Sequence, residues 1–144
     1  MKLVDRMKDE ELGTALLYNF TKGYGKPVPL ELYDVVLPLL YHDLVRDQIL
    51  SYTSLQECVY QCVQQEKHFK QHLLEQIEED KTMTSKALGV AMIQHILKFE
   101  IVETSMCGVA LPTDILDLNE AIHLGQLFQN VSLEDFMTLL SQED

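Results

Sequence analysis

The sequence is poor in positive charge. Eleven Lys and Arg stand against 23 Asp and Glu, a formal net charge of −12 over 144 residues. A protein that grips nucleic acid alone gains affinity by setting cations against phosphates. Autonomous DNA binding is therefore disfavoured, although a partner could supply the basic surface. Long apolar runs are missing too: none approaches the ~18–20 residues of a membrane span, so no membrane partner is expected. The stretch Met1–Glu11 is charged almost throughout, without the apolar core of a signal peptide. Cysteine is scarce and odd in number (Cys58, Cys62, Cys107), which fits reduced, buried thiols rather than a disulfide framework. A cytoplasmic location is the expectation.

What is present is an apolar fraction of 47%, too high for a disordered polyelectrolyte. This length argues for one domain, with roughly 70% of the unfolded surface available for burial. The charge is uneven. Residues 1–26 sum to +1, 27–54 to −3, 55–81 to −3, 82–110 to zero and 111–144 to −7. The acidic C-terminal helical part, 113–144, is expected to pack on the same single domain, 1–144, and to face a basic partner surface.

Periodicity predicts a mainly α chain. Leu12, Ala15, Leu16 and Phe20 form a helical stripe over about Lys8–Phe20, and two glycines and two prolines in Gly23–Pro29 make a loop. Leu30–Tyr41 is apolar on all sides and belongs to the core, with one short helix ending near Leu37 and another starting at Pro38. Ser54 and Glu57 have capping-box spacing. The helix behind them reaches towards Glu79, with a kink or split at Glu66. Ala87–Leu97 reads as a helix. Phe99–Glu103 and Val109–Leu111 read as a hairpin with its turn in Thr104–Gly108. Ile115–Gln129 is helical again, and Ser132 caps a last helix with Asp135 at its third position and a Val131–Phe136 staple. A compact helical domain with one short β-hairpin results, and a winged-helix-like arrangement stays open.

Candidate chemistry is thin. Cys58, Cys62, His68 and His72 have pairwise metal-ligand spacing. On one straight helix, however, Cys62 and His68 differ by about 120° and Cys58 and His72 lie roughly 21 Å apart. Only a sharp break near Glu66 could unite them, so buried thiols and surface histidines are the expectation, with no metal and no cofactor. Cys107 has no local His or acid marking it as a nucleophile. Thr21–Lys26 lacks the Gly-Lys-Ser/Thr ending of a phosphate loop and follows a helix instead of a strand. No catalytic residue emerges, and an enzyme is not expected.

Several phrases, in order, resemble a known family. Phe20-Thr21-Lys22-Gly23-Tyr24 closes an apolar helix, Leu37-Pro38-Leu39-Leu40-Tyr41-His42 follows, and then come the Ser54-Leu55 helix start and the helix and hairpin around Ala87–Leu111. Ala121-x2-Leu124-Gly125-x2-Phe128 stands near the end. Together they resemble the middle components of bacterial three-component ABC systems, with a departure at the tail, Leu139–Asp144. The resemblance implies a non-enzymatic accessory subunit, as in Lamassu-type anti-phage systems. Its implied partners are an SMC-like ABC ATPase and an effector, often a nuclease, with DNA met only through the complex. No catalytic residue carries over. Tyr24, Phe128 and Phe136 are nominated as partner-binding residues. The rival reading is a free-standing winged-helix DNA-binding regulator, for which Lys86 and Lys98 are the basic residues on offer.

Overall fold

The computed structural model describes residues 10–142. Helix α1, Glu10–Tyr24, runs through the molecule's centre. It is buried nearly all round, so the stripe read from its leucines understates it. The polar residues that go inside are satisfied. The Thr14 hydroxyl donates to the Ala87 carbonyl at 3.2 Å, and the Thr21 hydroxyl reaches the Leu17 carbonyl and the Tyr33 hydroxyl at 2.8 and 2.7 Å. The helix expected to end near Phe20 carries on to Tyr24, two residues into the predicted Gly23–Pro29 loop. The expected start at Lys8 lies outside the described residues.

A 3-10 turn, Leu30–Val35, leads into α2, Val36–Tyr41. Pro38 therefore sits in the first turn of α2 instead of opening it. The first turn has no intrahelical partners for its N–H groups, so a proline there removes nothing. Helices α3 (Asp43–Gln48), α4 (Leu55–Gln65) and α5 (Phe69–Glu79) follow. The split at Glu66 occurs as the interrupted stripe suggested. The Ser54 hydroxyl accepts from the Glu57 N–H at 3.1 Å. The return arm differs from a full box, with the Glu57 carboxylate accepting from Thr53 instead of Ser54.

Helix α6, Lys81–Ile93, begins six residues before the sequence-based expectation. It stops where His95 takes φ 60°, and the Ile96 N–H returns to the Ala91 carbonyl at 3.0 Å, a Schellman-type ending. Strands β2 (Leu97–Val102) and β3 (Ser105–Ala110) form the hairpin. Val102 pairs with Ser105, so the turn is Glu103-Thr104, not Thr104–Gly108. The hairpin is also not alone. Val28–Pro29 forms β1, antiparallel to β3, giving the order β1-β3-β2. Pro29 fits there because an edge strand tolerates a missing donor. Helix, edge strand, helix, then a later helix and a hairpin is the order of a winged helix. Here α3, α4 and α5 are inserted before α6, the helix that precedes the wing.

Residues 111–118 carry no regular secondary structure, and α7 is only Asn119–Leu127, shorter than the predicted Ile115–Gln129. Side chains of α1 tie this segment down. The Tyr18 hydroxyl donates to the Leu111 carbonyl at 2.8 Å, and Asn19 bonds the Leu116 carbonyl and the Leu118 N–H, each at 3.2 Å. Helix α8, Leu133–Ser141, carries the full Ser132–Asp135 capping box. The two ends of the chain thus meet through α1 and α7. A Cβ on Gly23 would overlap the Ile122 carbonyl, and one on Gly125 would overlap the Phe20 carbonyl. Only glycine lets the two backbones approach this closely.

Candidate functional site

Tyr24, Phe128 and Phe136 are all core residues of the chain. Each is buried, and they form an aromatic chain with Phe20. The ring centroids lie 6.1 Å apart for Phe20–Tyr24, 5.8 Å for Phe20–Phe128 and 5.2 Å for Phe128–Phe136. Their geometry suits aromatic packing and locks α8 and α7 to α1. Phe128 and Phe136 are 0% and 1% exposed, so their rings pack inside the chain.

Cys58 and Cys62 point inward from α4, whereas His68 and His72 are exposed around α5. Among the described residues no group of three or more His, Cys, Asp and Glu could hold a metal ion. The hydrogen bond with Cys62, together with burial, pushes the Cys58 thiol up, so it keeps its proton. Burial also raises Cys107, whose thiol faces the Ser105 carbonyl at 3.7 Å. Protonated Cys58 and Cys107 are poor nucleophiles, whereas the hydrogen bond from Cys58 pushes the buried Cys62 thiol down.

His42, the last residue of the apolar Leu37–His42 phrase, has a positioning task. Its Nδ1 accepts the Leu44 N–H at 3.3 Å and so caps α3. That leaves Nε2 to carry the proton and donate to Glu66 Oε2 at 3.2 Å. The other oxygen of Glu66 meets His72 Nδ1 at 2.6 Å. One carboxylate thereby ties the start of α3 to the break between α4 and α5.

The surface carries a different feature, which sequence reasoning missed. A groove of about 780 Å³ lies between the Leu30–Val35 turn, α6 and the hairpin. Leu30, Leu88, Met92, Phe99 and Met106 supply its apolar walls. Three large exposed apolar side chains, Leu30, Met92 and Met106, line it. Met92 is 52% exposed and Met106 43%, while Ile101, 70% exposed, is the cross-strand partner of Met106. Methionine-rich apolar surface adapts to a partner's side chains, and contiguous exposed patches mark interaction sites. The only sequence-level signal was the Leu88–Met92 spacing, which reads equally well as core.

The groove's acids lie on one wall. Glu31 and half-buried Asp34 line it, and desolvation raises the Asp34 carboxyl, with Glu31 and Glu78 adding to the rise against Lys81. Lys81 itself is held by Glu78 at 2.9 Å. Gly89 forms part of the floor, and a Cβ built there meets nothing within 4 Å. Glycine in a helix interior costs roughly 1 kcal/mol relative to alanine, and nothing among the described residues around Gly89 requires it. In the acidic C-terminal part, Asp117 pairs with Lys22 at 2.7 Å. Glu134 and Asp135 lie in the first turn of α8, where they complement the helix dipole. Glu143 and Asp144 lie outside the described residues. No helix among the described residues is long and apolar enough to cross a membrane.

Comparison with known protein families gives a match over most of the chain. The family model described as "ABC-three component (ABC-3C) system Middle Component 3" matches residues 11–141. No curated protein and no solved structure matches the chain.

Proposed function

The chain belongs to the ABC-three component system Middle Component 3 family, and from that premise we propose that it is a non-enzymatic accessory subunit which docks other components of such a system. In the finer reading, the system is an anti-phage defence complex of the Lamassu type, in the cytoplasm. The partners are an SMC-like ABC ATPase, which meets DNA, and a nuclease-type effector that this subunit tethers or restrains.

The observation that carries the reading is the apolar, acid-walled groove beside α6. It offers a partner protein something to bury, and no Lys or Arg is among its lining residues to pair with phosphate. The test is co-expression with the SMC-like ATPase and effector encoded beside it. Co-purification of this chain with the ATPase is the expected result, and separate elution of the two sinks the proposal.

The winged-helix order favours a second reading, a free-standing DNA-binding regulator. In that architecture the helix before the wing enters the major groove and basic side chains hold the backbone. Here the helix in that place, α6, exposes Met92 and Ile93, and Lys98 of the wing lies 3.5 Å from Glu100. Gel shifts of the isolated chain at low salt separate the two readings. The accessory reading expects no retardation, whereas the regulator requires a salt-sensitive shift.

A further inference from the structure

The groove beside α6 is narrower in what it fits than a generic sticky patch. Its floor is the stretch of α6 from Ser85 to Met92, kept low by Ser85 and by Gly89, one helical turn further on. One side is the hairpin face bearing Phe99 and Met106, and the other is the turn bearing Leu30, Glu31 and Asp34. A small-residue floor lets a second helix approach closely. Flanking flexible apolar chains can receive anchors spaced three and four residues apart. Carboxylates at one wall, on a chain of net charge −12, complement cations and repel acids.

Resting on the accessory-subunit reading, we infer that the occupant is an amphipathic α-helix of another component. It would lay an apolar stripe across Gly89, between Met92 and Met106, and direct Lys or Arg towards Glu31 and Asp34. A second copy of this chain is the poorer match, because its own charge opposes the acidic wall.

The experiment uses the full chain co-expressed with the neighbouring ATPase and effector. Gly89→Trp fills open space, so its far-UV spectrum and Tm should match the wild type, while recovery of the complex falls about tenfold or more. Gly89→Ala keeps the floor low and retains assembly. Met92→Glu, at an exposed position, provides an independent block should the tryptophan disturb the helix. Glu31→Lys combined with Asp34→Lys weakens assembly several-fold and flattens its salt dependence. A photo-crosslinking side chain placed at Met92 then identifies the occupant, expected to be a helical segment with basic residues on one flank. Crosslinking to a second copy, to an extended strand or to an acidic segment overturns the inference. So does unimpaired assembly of both Gly89→Trp and Met92→Glu, with the accessory reading left standing. Failure of the wild-type chain to assemble overturns both.

Discussion

The crossing of α1 with α7 and the groove beside α6 are each built around a helical glycine, and the two glycines do opposite things. At Gly125 the missing Cβ is already used, since the backbone of α1 occupies the space. At Gly89 the same vacancy is open to solvent. One glycine is spent on the fold, and the other meets nothing among the described residues. The recognisable sequence phrases follow the first pattern. Phe20–Tyr24 and Ala121–Phe128 are two sides of one buried crossing, and Leu37–His42 packs beneath it. Their short, apolar, glycine-marked character describes how the domain closes. The docking surface carries no comparable phrase.

Substitutions can test that contrast. The largest effect is expected in the crossing itself. Phe128→Ala opens a void between Phe20 and Phe136 and should destabilise the chain by about 4 kcal/mol in urea unfolding; a loss under about 1 kcal/mol would mean the aromatic chain is not the joint between the ends. Gly125→Ala forces α7 away from α1 and should cost about 3 kcal/mol. Gly89→Ala, chemically the same change, should instead stabilise by about 0.5–1 kcal/mol through helix propensity. If Gly89→Ala destabilises the isolated chain, the claim that the fold has no need of that glycine fails. The smallest effect concerns Asp34. Desolvation raises its carboxyl in the folded chain, so the folded state holds this proton more tightly than the unfolded one. That contribution is present in full below the ordinary Asp pKa of about 3.9 and is lost as the pH rises through the raised value. Between about pH 4 and pH 7, wild type should therefore lose stability relative to Asp34→Asn, and a constant difference would show that the groove wall is not desolvated.

How much of this was legible depended on how local the cause was. The Ser132 cap, the split at Glu66 and the hairpin were readable because each is set by residues a few positions apart. The start of α6 was missed because Lys81–Lys86 is polar apart from Met83, and tertiary contacts such as Thr14 to Ala87 hold it. The predicted helix over Ile115–Leu118 gave way to irregular chain because Asn19, nearly a hundred residues earlier, takes the Leu116 carbonyl and the Leu118 N–H. Strand β1 was hidden in a loop of glycines and prolines since its only support is pairing with β3, about eighty residues on. Tyr24, Phe128 and Phe136 had helical spacing and element-end positions, and neither separates an interface aromatic from a core one. The groove had no signal beyond the ambiguous Leu88–Met92 spacing, being formed by residues 29–34, 85–92 and 99–106.

By itself the sequence determined what short-range chemistry controls: a mainly helical chain, its caps and breaks, its acidic character and its ordered family phrases. The tertiary structure alone decided which apolar residues are core and which are surface. It also decided that one helical glycine is filled by a neighbour while another is left open. Burial is a property of what packs from far along the chain, and no local spacing encodes it.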